Sequence, residues 1–330
     1  MPSSGNELMA IDRILFITSN RIGDAVLSTG VLDYLIKTHP EAKFTVACGE
    51  IATPLFDSIP QVERIIPLIK GRRARHWREL WRQTVGVRWS LVADLRNSLF
   101  SWTVRTRKRV VYRPNDKPVH RVRQLAAAFK ADPAPSPRLW LSEQRRSAAE
   151  GIIPPGGKVV AIGPTANWKG KQWASERFIS LLERLTGPQG LYPGARIAVF
   201  GGPNERTAAE PILASIPLER RLDLVGTIDI GVAGACLARC DLYIGNDSGL
   251  MHLAAAAGIP TIGLFGPSRE EHYGPWGTNT AAVRTREDFQ SFLDSRCFSN
   301  PSAQGLLDSI SVEQVVGAVD LLLSRNSNSR

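Results

Sequence analysis

The sequence predicts an α/β protein built from two doubly wound, parallel-sheet domains in series. Three observations predict it. Strand-like apolar runs alternate with helix-periodic runs from residue 13 onward, the order that builds a parallel sheet with helices on both faces. The alternation breaks at residues 131–157, where ADPAPSPR, a polar helix and PPGG follow one another. Proline and glycine at that density mark a domain junction. A chain of 330 residues also exceeds one average domain and suits two. The expected division is 1–150, 151–325 and a short disordered tail at 326–330 within the polar end SRNSNSR.

The elements read off in order. RILFIT (13–18) is a buried strand, and residues 23–39 follow as a helix with Val26, Leu27, Val31, Leu35 and Ile36 at helical spacing. KFTVAC (43–48), a short helix, RIIPL (64–68), a basic helix and SLVADL (90–95) complete the first series. The second series begins with VVAIG (159–163), a helix near 175–186 and RIAVFGG (196–202). It continues through the helix 230–240, DLYIG (241–245), the helix opened by NDSG, and TIGLFG (261–266). A last helix, 311–323, carries Val312, Val315, Val316, Val319, Leu322 and Leu323 on its apolar side.

Composition narrows the function classes. The hydrophobic fraction of 43% is that of a soluble globular protein. The longest apolar runs, LAAAAG and VVGAVDLLL, fall short of the roughly 18–20 residues that a membrane span needs. MPSSGNELMAID has neither a basic start nor an apolar signal core, which predicts a short leader and no export. Cys48, Cys236, Cys240 and Cys297 are scattered, with no partner pair or histidine cluster to complete a metal site. They read as buried thiols of a reducing cytoplasm.

The formal net charge is +10, and most of the excess lies in KGRRARHWRELWRQ (70–83) and RTRKRVVYRPNDKPVHRVRQ (105–124). Such patches attract polyanions or an anionic membrane surface, although a basic run is also an ordinary solvated helix face. Interleaved Trp77, Trp81 and Trp102 mark an interfacial or acceptor-facing surface. No nucleic-acid motif accompanies the charge, so nucleic acid is not an expected partner.

Open α/β sheets bind ligands at the carboxyl ends of their strands, which directs attention to three strand–loop–helix transitions. In ITSNRIGDAV (17–26), Gly23 permits a close approach and Asp24 falls in the first helical turn. A carboxylate there is either a plain helix-start charge or a general base facing the cleft. In GPTANWKGKQWASERF (163–178), Lys169 and Lys171 lie in a glycine-bearing loop entering a helix, where ammonium and backbone N–H groups suit a phosphate; an exposed lysine loop is the plain alternative. In GNDSGLMHLAAAAG (245–258), Asn246 and Asp247 turn the chain and a helix starts near Ser248. Gly249 leaves room for a ligand near the first-turn N–H groups, and His252 stands one turn beyond Ser248 on the same side. Taken alone, Ser248 and Asp247 read equally as caps, and His252 as a packing residue. No G-x-G-x-x-G follows the first strand and no G-x-x-x-x-G-K-[ST] loop occurs, so neither NAD nor ATP use is expected.

Together, RILFITSNRIGDAVLSTGVLDYL, GPTANWKGKQW, FGGPNE and DLYIGNDSGLMHLAAAAGIPTIGLFGPS resemble glycosyltransferase family 9, the bacterial heptosyltransferases of lipopolysaccharide synthesis. The pieces keep the family's order and spacing over most of the chain; residues from about 70 to 150 match poorly, and acceptor preference is expected to reside there. The resemblance implies a GT-B fold, with two Rossmann-like domains facing across a cleft, acceptor in the first and nucleotide sugar in the second. It implies inversion at the anomeric carbon with no metal and no cofactor, the nucleotide sugar, ADP-heptose, being a substrate. Asp24 matches the family's catalytic base, Lys171 the lysine contacting the donor phosphates, and Glu205 an acidic residue near the ribose. Asp247, Ser248, Gly249 and His252 match the donor-binding loop and helix, Ser248 standing where threonine is also common. Gly23, Thr165, Asn167 and Lys169 complete the candidate set, although Thr165, Ala166 and Asn167 depart from the threonine pairs of some members.

The expected function is heptose transfer from an ADP-sugar to a lipopolysaccharide core or similar anionic glycan. The expected place is the cytoplasm, with peripheral contact at the inner membrane through the basic half. The alternatives are another nucleotide sugar, a protein or capsule acceptor, a nucleotide-sugar epimerase or hydrolase on the same scaffold, or a scaffold protein without activity.

Overall fold

The computed structural model describes residues 12–69, 71, 75–295, 300 and 303–327. The expected leader, Cys297, most of 70–74 and the last three residues lie outside them. The first sheet contains β1 (Arg13–Ile17), β2 (Lys43–Cys48), β3 (Val62–Pro67), β4 (Trp89–Asp94) and β5 (Thr106–Val111) in the order β3-β2-β1-β4-β5. The second contains β6 (Val159–Gly163), β7 (Arg196–Gly201), β8 (Arg221–Val225), β9 (Leu242–Asn246), β10 (Thr261–Phe265) and β11 (Thr280–Arg284) in the order β11-β10-β9-β6-β7-β8. Every strand pair is parallel. Strand order reverses between β1 and β4 in one sheet and between β6 and β9 in the other, and such reversals open a crevice at the strands' carboxyl ends.

The helices are α1 (Ile22–Thr38), α2 (Arg75–Thr84), α3 (Arg121–Ala128), α4 (Glu143–Ile152), α5 (Ser175–Thr186), α6 (Arg206–Ser215), α7 (Ile230–Leu237), α8 (Gly249–Ala256), α9 (Glu270–Tyr273), α10 (Phe289–Asp294) and α11 (Val312–Ser327). In α5 the apolar stripe Phe178, Leu181, Leu182 and Leu185 is wholly buried against the second sheet, with α6 and α11 on the same face. Helix α1 differs: residues 25–32 are buried all round, because it lies between the first sheet and α8 of the second half. One apolar cluster therefore runs through both halves, from Ile14 and Phe44 to Phe200 and Met251. Helix α4 joins them as well, because it packs on α7 while the Arg145 guanidinium donates to Asp57 Oδ2 at 2.6 Å and Ser58 Oγ at 2.8 Å. Residue 150 falls inside this helix.

Two sequence expectations need correction. Residues 324–327 are the last turn of α11, not the start of a loose tail, because Leu322 anchors the preceding turn in the core. The helix expected over 230–240 stops at Leu237, and Cys240 Sγ folds back onto the Cys236 carbonyl at 3.3 Å. Cys48, Cys236 and Cys240 are buried free thiols. Among the described residues, no helix is long and apolar enough to cross a membrane.

Candidate active site

The site forms where the crevices of the two sheets meet. Gly23, in the first turn of α1, and Gly249, at the first position of α8, let the two helix starts cross in backbone contact. A Cβ on Gly249 would stand 2.8 Å from Ile22 Cβ and 3.1 Å from the Gly23 nitrogen. A Cβ on Gly23 would meet the His252 ring at 2.9 Å. Asp24 is thereby carried from the first half to the start of α8 in the second.

Asp24 accepts a hydrogen bond from Ser19 Oγ at 3.4 Å. Burial holds its carboxyl above the usual carboxylate range; the Arg121 and Arg21 guanidinium groups and Ser19 oppose that rise, and the Asp247 carboxylate adds to it. A carboxyl raised by desolvation is a stronger base than an exposed one and accepts a proton more readily.

Across the crossing, Lys171 follows β6 and Asp247 follows β9. Lys171 Nζ and Asp247 Oδ2 are 2.6 Å apart, with Asp247 almost wholly buried. The pair holds the Lys171 ammonium beside the residue that precedes Ser248. That start is uncapped: Ser248 makes no side-chain bond to the first-turn N–H groups. Uncapped N–H groups and the helix dipole together favour an anion. Ser248 Oγ faces the Tyr243 hydroxyl without a well-formed hydrogen bond, and neither oxygen has another partner among the described residues. His252 is buried, and burial lowers its pKa to about 4, so it is neutral at physiological pH. Its Nδ1 is also without a partner among the described residues. Buried polar atoms without partners are rare in folded proteins, and several together at one helix start fit a site completed by a polar ligand.

Thr165 and Glu205 sit beside this cluster at the ends of β6 and β7. Thr165 Oγ1 donates to Glu205 Oε2 at 2.6 Å, and the same oxygen accepts from the Gly202 nitrogen at 2.6 Å. The structure thus brings together Gly23, Asp24, Lys171, Asp247, Ser248, Gly249 and His252, with Thr165 and Glu205 adjoining. Asn167 and Lys169 share the 163–171 segment and are exposed.

Sequence reasoning missed the residues that close the crevice. Arg121, at the start of α3, bonds Tyr112 OH of the first half and Tyr273 OH of the second, the latter at 2.7 Å. Its charge acts on Asp24, and its buried Nε has no partner among the described residues. His120 Nε2 meets the Gly274 carbonyl at 2.8 Å and His272 Nε2 meets the Lys117 carbonyl at 2.7 Å, so residues 117–121 are stitched to α9. Ser268, after β10, presents another buried hydroxyl without a partner among the described residues. Ser268 closes the segment 241–268 but was not singled out there; the others stand in no motif, and Arg121 lay within a basic run that concealed it.

The profile of glycosyltransferase family 9 (heptosyltransferase) matches residues 80–300, about two-thirds of the chain. This chain belongs to glycosyltransferase family 9. Lipooligosaccharide heptosyltransferase 2 of Haemophilus influenzae is 25% identical over 312 residues, covering 83% of this chain and 89% of the relative. Lipopolysaccharide heptosyltransferase 2 of Escherichia coli is 26% identical, covering 82% and 88%. Among solved structures, a family 9 glycosyltransferase from Veillonella parvula superposes with a TM-score of 0.79 at 22% identity, covering 96% of this chain and 99% of that one. The E. coli ADP-heptose lipopolysaccharide heptosyltransferase II superposes with a TM-score of 0.72 at 22% identity over the same shares. The fold of this family 9 glycosyltransferase is therefore GT-B, as the resemblance implied.

Proposed function

We propose that this family 9 member transfers a heptose, with inversion, from an ADP-sugar to a lipid-linked anionic glycan of the lipopolysaccharide core. The observation that carries the reading is the glycine–glycine crossing, which puts a half-buried carboxylate from one half beside the uncapped helix start of the other, next to the Lys171–Asp247 pair. Displacing a nucleoside diphosphate builds negative charge on the phosphates and positive charge on the anomeric carbon. Lys171 and the first-turn N–H groups of α8 stabilise the departing diphosphate as its charge grows. Asp247 holds Lys171 in that aim, and Glu205, with Thr165, lies where the ribose would sit. Asp24 removes the proton of the acceptor hydroxyl as it attacks the face opposite the leaving group. No residue of this scheme requires a metal, and transfer is expected to persist in EDTA. Two kinds of relative support the choice of donor and acceptor. The curated ones are lipooligosaccharide and lipopolysaccharide heptosyltransferases, and a solved neighbour is an ADP-heptose lipopolysaccharide heptosyltransferase.

A thermal-shift screen with ADP-, UDP-, GDP- and CMP-sugars tests the donor, because ligand binding to the folded state raises the midpoint. The expected result is a shift with ADP compounds alone, lost in Lys171→Ala and kept in Asp24→Asn. In a transfer assay Asp24→Asn should lose roughly 10²–10⁴-fold in rate, the usual worth of a general base. A preference for UDP compounds would overturn the heptose donor, and unaltered transfer by Asp24→Asn would overturn the base.

A further inference from the structure

The first sheet has one face covered by α1 and α3; among the described residues its other face is covered by α2 and the turn Leu99–Thr103. That thin layer is built to present apolar side chains outward. Phe100 and Val104 are buried beneath it, whereas Leu99 is 86% exposed and Trp102 is 61% exposed. On α2, Trp81 is 44% exposed, one helical turn beyond Trp77, which stacks on Phe100 at 5.6 Å.

These side chains are held, not loose. Buried Asp94, at the end of β4, accepts from the Arg96 and Ser98 nitrogens at 2.9 Å and from Ser98 Oγ at 2.6 Å, fixing the turn that delivers Leu99. The Arg109 guanidinium lies 4.5 Å over the Trp102 ring and donates to the Ser101 carbonyl at 2.7 Å, so the exposed indole is clamped from β5. Arg96 lies 4.9 Å over Trp77 and donates to Asn20 Oδ1 at 3.1 Å, tying the layer to the loop that leads into α1 and Asp24.

The surroundings are basic. Between Arg75 and Val111 there are nine Arg or Lys residues and two acidic ones, of which Asp94 is buried. Arg75, Arg78, Arg82, Arg105 and Arg107, on the same elements and their flanks, are exposed. Exposed tryptophan and leucine within an arginine-rich rim is the chemistry of a bilayer interface: rings and alkyl chains enter the headgroup boundary while guanidinium groups meet lipid phosphates.

We propose that the turn 99–103 and the outer face of α2 form a docking surface for an anionic lipid bilayer, with Leu99 and Trp102 inserted and the surrounding arginines on the headgroups. This surface adjoins the loop of Asp24 through Arg96 and Asn20, so a lipid-linked acceptor hydroxyl would be delivered at the end of the sheet where the base stands. The inference deepens the acceptor reading above, but bilayer binding is measured without donor or acceptor. Failure of either leaves the other standing.

The test is sedimentation of the full chain with vesicles of phosphatidylcholine alone and with added phosphatidylglycerol. The expected result is binding to the anionic vesicles, weakened by salt and absent with phosphatidylcholine. Leu99→Ser with Trp102→Ser should lower that binding by roughly tenfold or more while leaving the thermal midpoint unchanged. Arg75→Glu with Arg78→Glu, both exposed, supplies a second variant if the first does not fold, with a comparable loss expected. Wild type that ignores anionic vesicles, or folded variants of either kind that bind like wild type, would overturn the proposal.

Discussion

At the residue scale, Asp24 carries opposing demands. Its folded-state pKa is raised by burial, so folding disfavours the ionised form that the proposed base chemistry needs. The cost is full above the folded-state pKa and vanishes as pH falls to the unfolded value. Asp24→Asn should therefore raise the thermal midpoint at pH 7 while slowing transfer by roughly 10²–10⁴-fold, and the two midpoints should converge on acidification toward pH 4. Equal midpoints at pH 7 would contradict the burial of this carboxyl. Asp24 and Lys171 were legible because each follows a strand within a recognisable segment. Arg121 was not, since nothing local distinguishes it from the other basic residues of 105–124; its role depends on Tyr273, brought near only by the fold.

At the scale of elements, the central strands declared themselves as apolar runs, whereas edge strands β5, β8 and β11 did not. In β5, Arg107 and Lys108 are exposed and interrupt the pattern. An edge strand buries little and carries charge that discourages pairing with other chains, so its sequence reads as a polar loop. The helix starting near Ser248 was read in place, but the close partner of Gly249 was invisible because it lies more than two hundred residues away, at Ile22 and Gly23. Gly249→Ala should cost about 1–3 kcal/mol, the usual penalty of overpacking, and should reduce donor binding and transfer together. Denaturant unfolding and the ADP-sugar thermal shift measure the two effects. An alanine variant as stable and as active as wild type would mean that the helix starts do not meet as described.

At the scale of the whole molecule, the two-domain series was legible from the alternation and the break near 131–157, because both are local. The joining of the halves was not legible. It rests on long-range contacts: α1 on α8, Arg145 on Asp57, and the stitch from 117–121 to α9. Arg121 and Tyr273 belong to that stitch. Tyr273→Phe should cost about 1.5–3 kcal/mol of the closed state, the worth of a hydrogen bond to a charged group. That is a loss of roughly tenfold to a hundredfold in kcat/KM, with the donor thermal shift retained. In an Arg121→Gln background the same change should do little, and a double-mutant cycle reads the difference.

The crossing of α1 and α8 also sets a lever arm. Asp24 is next to Gly23 and Ser248 next to Gly249, so the reacting groups stand beside the axle on which one half would turn against the other. Displacement in a rotation grows with distance from its axis. Parts of the two halves farther from that axle would separate more widely to admit a bulky acceptor, while Asp24 and the start of α8 kept nearly their mutual spacing. Swinging the halves apart would widen the doorway without taking the reaction centre to pieces.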